Sequence, residues 1–260
     1  MDARAGSRTT LALMYHALGD APGVGADPHY TVTMPHFDEQ IAACKRLGGG
    51  AVSARDWLTG HPGVIITFDD GHRTNYELGF PALVAAKASA DFFVNPAQVG
   101  TEGFATWSEL REMADGGMSI QSHGLDHSHY LTELPAPRLR EELLRARQEI
   151  EQHVGKPVTL LAPAGGRCPP DLERVAQDVG YTHVLNSRPG VVRAGRGPSL
   201  CRFAVTSQLD VATLESWLRG GRARVVAELR YSALATAKRL LGDRLYERVR
   251  ERLLGTGGTP

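Results

Sequence analysis

The run Val64-Ile65-Ile66-Thr67-Phe68 restricts the possible folds of this chain more than any other stretch, and it ends abruptly in Asp69-Asp70-Gly71. A strand with one wet face alternates apolar and polar residues. A β-branched run without that alternation is covered on both faces, which is the situation of a strand in a parallel sheet flanked by helices. Two carboxylates at its end are costly near a core unless they are paired, hydrogen-bonded or on a metal. In parallel sheets and barrels, ligands gather at the carboxyl ends of the strands. Neighbouring strand residues face opposite sides, so Asp69 and Asp70 can hold different roles. Equally, either acid can cap the turn into a following helix, with Gly71 supplying backbone freedom. The stretch alone does not choose between site and cap.

The surrounding sequence supplies the helices such a strand needs. Residues 11–16 read as a first strand ending at His16, followed by a Gly/Pro-rich loop to His29 that is too long for a plain connector and suits a lid or rim. Helical periodicity runs from Met34 through Phe37, Ile41 and Cys44 to Leu47, and glycines 48–50 stop it. A weak strand covers 51–53. Residues 74–87 read as a helix whose continuity Pro81 puts in question. Strands are predicted at 90–94, 118–122, 158–162 and 182–186, and helices at 106–114, 135–153 and 170–179. Thr106 and Glu109 form a capping-box pattern at the start of the first of these helices. This alternation predicts a parallel βα array, not a bundle or a sandwich. With 260 residues, 42% of them hydrophobic, the chain suits one large α/β domain or barrel.

From about residue 214 the texture changes, which divides the chain into a main domain, 1–213, and a C-terminal helical extension, 214–260. Residues 222–254 are helical in pattern and basic, through Arg222, Arg224, Arg230, Lys238, Arg239, Arg244, Arg248, Arg250 and Arg252. The plain reading is a tail packed on the domain. The sharper one is a helix for peripheral membrane or protein contact. Over the whole chain Lys+Arg and Asp+Glu balance at 29 each, so no nucleic-acid partner is expected. Cys44, Cys168 and Cys201 are far apart and form no CxxC pair, which argues against a disulfide framework or a cysteine zinc site. No window approaches the roughly 20 apolar residues of a membrane span and no export signal is apparent, so a cytoplasmic location is expected.

A second cluster, His123-Gly124-Leu125-Asp126-His127, follows the strand predicted at 118–122, with His129 just beyond as an alternative to His127. His-x-x-x-His places two imidazoles about one turn apart if the segment is helical, and a tight loop can also close the pair on one ion. Two neutral imidazoles and a carboxylate form an open shell for Zn2+, Co2+ or Fe2+. A hydrogen-bonded pair or a surface loop is the alternative. Asp69-Asp70 also ends a predicted strand, so the two clusters can share one rim, and that favours the metal.

Thr67-Phe68-Asp69-Asp70-Gly71 together with Ser122-His123-Gly124-Leu125-Asp126-His127 resembles the first two motifs of the polysaccharide deacetylase family, the NodB-homology domain of carbohydrate esterase family 4. Asn75-Tyr76-Glu77, Pro81, Asp91-Phe92-Phe93-Val94, Trp107 and Gly180-Tyr181 extend the likeness over roughly residues 10–210. The resemblance implies a distorted (β/α) barrel of about seven parallel strands, to which the basic C-terminal helical tail is added. It implies metal-dependent removal of an N-acetyl group, usually from an amino sugar. Carried over by position, Asp70, His123 and His127 would be the metal ligands and Asp69 the base. Zn2+ is the expected ion, with Co2+, Ni2+ or Fe2+ as alternatives.

The family's third motif, Arg-x-Pro-Tyr-Gly, stands here as Leu161-Ala162-Pro163-Ala164-Gly165-Gly166-Arg167. Pro163 and Gly165 match, while Leu161 and Ala164 hold the arginine and tyrosine positions. Arg167 is then the candidate to steer Asp69, and the main chain at Pro163, Ala164 and Gly165 the candidate oxyanion site. The family's late Leu-x-His motif is missing, since residues 201–210 contain no histidine. Members similar to poly-N-acetylglucosamine deacetylases are circularly rearranged and keep that histidine on the first strand. Met14-Tyr15-His16 fits this pattern, with His16 as the acid. The substrate implied is an N-acetylated sugar, a glycan precursor or an acetylated small metabolite. Two other readings stay open: a metal-dependent C–N amidohydrolase on a non-sugar substrate, and a non-catalytic relative that binds metal or carbohydrate.

Overall fold

The computed structural model describes residues 8–127 and 130–241, so His129 and the 242–254 part of the basic segment lie outside the described residues. Eight strands build the main sheet: β1 (Ala12–Tyr15), β2 (Val64–Phe68), β3 (Asp91–Val94), β4 (Ser119–Ser122), β5 (Leu160–Leu161), β6 (His183–Leu185), β7 (Ser199–Leu200) and β8 (Phe203–Ala204). They pair in parallel in the order β7-β6-β5-β4-β3-β2-β1-β8, and a short strand, Ala51–Val52, adds to β2. β7 and β8 end this order, yet only Cys201 and Arg202 separate them. So short a link spans about 10 Å at most. The two ends of the sheet therefore lie side by side, and the sheet curls into the expected distorted barrel. Counted around it, β7 and β8 act as one interrupted strand beside β1 to β6.

Strand alternation sorts the core into two layers. Ala12, Ile65, Phe93, Leu160, Ala162, Leu185 and Leu200 pack with one another inside the barrel. Their neighbours Leu13, Tyr15, Ile66, Phe68, Phe92, Ile120, Leu161 and Val184 pack outward in the larger cluster under the helices. The covering helices are α1 (Met34–Gly48), α3 (Phe80–Ala85), α4 (Trp107–Asp115), α5 (Ala136–Val154), α6 (Leu172–Asp178), α7 (Val211–Leu218) and α8 (Arg222–Leu241), while α2 (Ala54–Thr59) packs Ala54 and Trp57 on the inner cluster. The capping box at Thr106 and Glu109 opens α4 as its sequence predicts.

The helix expected over 74–87 forms in two parts. Asn75–Gly79 is a π-helical turn, and α3 continues directly from it with Pro81 as its second residue, so the wider turn stands where proline cannot donate an N–H. The expected 213/214 division falls inside α7, whose Leu214 and Trp217 are buried in the main core. In α8, Ala223 and Ala227 pack against that core while Val225, Val226 and Leu229 stay exposed. Among the described residues no helix is long and apolar enough to cross a membrane.

Candidate active site

The site forms where β1, β2 and β4 end on one rim. In β2, Ile65 and Thr67 point into the barrel, and Asp69 continues that parity. Asp69 is 3% exposed, and both of its oxygens are engaged by Arg202. Nη1 of Arg202 donates to Oδ1 at 2.6 Å and Nη2 to Oδ2 at 2.9 Å. Arg202 is itself fully buried; it also donates to Thr67 Oγ1 and to the Asn186 carbonyl. Burial alone would raise the Asp69 carboxyl, but the Arg202 and His123 charges outweigh it and hold the group below its ordinary value.

Asp70 leaves the strand. Its φ of 73° is left-handed, which aspartate tolerates better than most residues, and Gly71 follows at φ 75°. The turn brings Asp70 to the histidine pair. Its Oδ1 lies 3.3 Å from Nε2 of His123 and 3.5 Å from Nε2 of His127. Burial would raise this carboxyl too, but hydrogen bonds from His123 and His72 outweigh it and hold it well below the carboxylate range. His123 is buried, which lowers an imidazole pKa, yet Asp69 and Asp70 raise it overall.

The segment 123–127 is a loop, not a helix. Its shape is set from outside: Asn95 Nδ2 donates to the carbonyls of His123 and Gly124, and Glu142 on α5 accepts from the N–H groups of Leu125 and Asp126. One ligand atom each from Asp70, His123 and His127 lie within 4.8 Å of one another. Among the described residues the ion-pair partners of Asp70 are all histidines, His72, His123 and His127. A carboxylate oxygen facing two imidazole nitrogens, with no lysine or arginine to neutralise it, is a donor set that fits a divalent cation.

These residues line a cavity of about 400 Å³ together with Met14, His16, Tyr30 and Tyr130. His16, expected at the rim, is there, stacked on Tyr30 with ring centroids 4.6 Å apart. Burial lowers its pKa against the opposing pull of Asp69 and Asp70. The Asn75 side chain donates to the His16 carbonyl at 2.6 Å, so the π-helical turn after β2 fixes the end of β1. The third-motif segment also reaches the cavity, as a short turn, Ala164–Gly166. Gly165 and Gly166 line the cavity, whereas Ala164 is buried and Pro163 leads in with extended backbone. Gly165 has φ 63°, and a Cβ there would stand 2.5 Å from the Tyr130 ring.

Arg167 does not hold Asp69. Its guanidinium lies over the Tyr130 ring, 3.9 Å from the centroid. The residue that holds Asp69 is Arg202, from the link that closes the barrel. A signal for it was present: an arginine inside the apolar stretch 200–205 has to find a buried partner. His72, Tyr30, Tyr130, Asn95 and Glu142 also escaped the sequence reading, because their roles depend on contacts between distant segments.

Residues 59–184 match the family model for polysaccharide deacetylase. A Bacillus subtilis (strain 168) protein named as a polysaccharide deacetylase, YxkH, is 28% identical over 134 residues. That stretch is 52% of this chain and 48% of that protein, so the match spans about half of the relative's length. Among solved structures, the Streptococcus pyogenes deacetylase PplD in complex with acetate is similar at a TM-score of 0.71 and 21% identity, covering 79% of this chain and 96% of that one. IcaB from Ammonifex degensii is similar at a TM-score of 0.68 and 24% identity, covering 86% and 98%. At these identities the structural likeness bears on the fold.

Proposed function

From the premise that this chain belongs to the polysaccharide deacetylase family, with its NodB-homology domain, we propose that it is a metal-dependent deacetylase. It would remove an N-acetyl group from an amino sugar, a glycan precursor or an acetylated small metabolite. The observation that carries this reading is the convergence of Asp70, His123 and His127 beside a separately held Asp69.

Asp70, His123 and His127 would hold the ion; Zn2+ suits them, and Co2+, Ni2+ or Fe2+ are compatible. A divalent metal there would lower the pKa of a bound water to about 7 and polarise a carbonyl oxygen. Asp69 takes the proton of the attacking water on a carboxylate oxygen. Its lowered pKa keeps it ionised for that task, and the Arg202 fork presents it in one orientation. The main chain of the turn at Gly165 lines the cavity and would donate to the oxyanion, a contact typically worth about 3 kcal/mol. Being main-chain, it survives the absence of the motif's tyrosine. His16, facing the same cavity, would give the departing nitrogen its proton. Water and amide become acetate and a free amine.

The altered third motif, with Leu161 and Ala164, favours one second reading, an amidohydrolase acting on a non-sugar C–N bond. Elemental analysis of the purified protein, with acetate and ammonia measured over a panel of N-acetylated sugars and small molecules, separates the two. Acetate release supports the deacetylase, and ammonia release without acetate supports the rival. Asp69→Asn should keep its metal and lose at least about 10²-fold in turnover. Full metal loading with no product from any substrate would overturn both readings. Exposed Val225, Val226 and Leu229, beside exposed Arg222 and Arg230, support a peripheral membrane or protein contact through the 222–254 segment.

A further inference from the structure

Asp70 has two oxygens, and the histidine pair uses only one. Oδ1 faces Nε2 of both His123 and His127. Oδ2 faces a different ring, Nε2 of His72, at 3.5 Å. His72 is 3% exposed, and its Nδ1 is buried without a partner. The ring therefore has one polar contact, and to make it the proton must sit on Nε2. His72 lies outside the group of ligand atoms that converge within 4.8 Å, so it stands behind Asp70, not beside it.

The His72 ring is itself locked. It stacks on Phe104 with centroids 5.2 Å apart and planes 20° from parallel. The backbones of His72 and Phe104 form an antiparallel bridge. Arg73 N–H donates to the Gly103 carbonyl at 2.8 Å, and Ala105 N–H to the Gly71 carbonyl at 3.0 Å. This clamp matters because Asp70 and Gly71 both have positive φ, and such a turn does little by itself to fix the direction of a carboxylate.

We propose that His72 is a positioning residue for the metal: by holding Oδ2 it makes Asp70 a one-oxygen ligand. This rests on the reading of Asp70, His123 and His127 as the metal ligands. A carboxylate with both oxygens free can chelate and occupy two coordination positions. With Oδ2 engaged it occupies one, which leaves more of the shell open for water and a substrate carbonyl. Phe104 extends the support to the rim. A Cβ on Gly25 would stand 3.1 Å from Phe104 Cζ, and one on Gly103 2.3 Å from the Val24 carbonyl oxygen, so the loop after β1 rests directly on this clamp.

The test uses the full-length protein loaded with Co2+, reading affinity by chelator competition and ligand geometry by visible absorption. His72→Ala should weaken Co2+ binding about 10- to 100-fold and shift its absorption toward the weaker bands of a higher-coordinate ion. His72→Gln, which can still donate an N–H to Oδ2, should recover most of both. Phe104→Leu should move both in the alanine direction, by less. Circular dichroism establishes that each variant is folded; if the alanine variant is not, the glutamine and Phe104 variants carry the comparison. Wild-type protein that binds Co2+ alongside His72 variants of unchanged affinity and spectrum overturns the proposal alone. Wild-type protein that binds no Co2+ overturns the ligand assignment beneath it as well.

Discussion

At the scale of single residues, the division between the adjacent acids Asp69 and Asp70 is decided by which cation each one meets. Asp69 meets a guanidinium and Asp70 meets imidazoles. Removing one member of a buried ion pair leaves the other uncompensated. Arg202→Met should therefore lower stability by about 3–5 kcal/mol in urea unfolding and impair turnover with it. Arg167→Ala, by contrast, should leave Asp69 held as before, so a stability loss as large as that of Arg202→Met would contradict the assignment.

A second buried acid, Asp91, lies at the opposite end of its strand. Its Oδ2 accepts from Ala54 N–H and its Oδ1 has no partner, and burial pushes its carboxyl up to about 6. The unfolded value is about 3.9. Between those limits the folded state binds more protons than the unfolded one. Asp91 should then be least unfavourable below about pH 4 and cost roughly 3 kcal/mol by the time the pH has risen past about 6. Asp69 and Asp70, held low, act in the other direction and only below about pH 4. Urea titrations of the metal-free protein across this range should show the slope in the wild type and lose most of it in Asp91→Asn.

At the scale of elements, the loop 123–127 is shaped by a helix that carries none of the proposed metal ligands. Glu142 on α5 accepts from Leu125 and Asp126 N–H groups at 3.0 and 3.3 Å, so a surface-type helix reaches back to set where His127 stands. Glu142→Ala should weaken metal affinity about tenfold, measured by chelator competition, while leaving α5 itself formed. The amphipathic pattern of 135–153 revealed the helix and its buried face. It could not reveal that one polar position faces a loop and not water, because helical periodicity separates apolar from polar and does not tell one polar environment from another. Pro81 shows the same limit. Its position flagged an interruption, and the π-helical turn that accommodates it also anchors the end of β1 through Asn75.

At the scale of the whole molecule, barrel closure joins distant strand ends, and the proposed metal site would join two more. The link Cys201–Arg202 closes the sheet and sends its arginine inward to β2, and the proposed ligands stand at the ends of β2 and β4. An ion bound only by the folded state adds stability by mass action, about 2.7 kcal/mol at a hundredfold excess over its Kd. Chelation should therefore lower the melting temperature by roughly 5–10 °C in a calorimetric scan, and addition of Zn2+ or Co2+ should restore it. Identical melting with and without chelator would count against a resident metal.

The sequence by itself determined the parts that depend on local pattern. The doubly covered run 64–68 demanded a parallel sheet, the strand–helix alternation demanded a barrel-like array, and the two motifs at strand ends named Asp69, Asp70, His123 and His127. Tertiary structure alone decided what supports them. Arg202 lies 133 positions from Asp69 and reaches it only because the sheet curls until its ends meet. His72 is close to Asp70 in sequence, yet its ring is aimed by Phe104 across a bridge that no local pattern announces. The proposed ligands stand at the ends of strands, and strand ends are set by periodicity. Their supports are chosen by which remote side chains share the same few ångströms, and that is known only once the chain has closed.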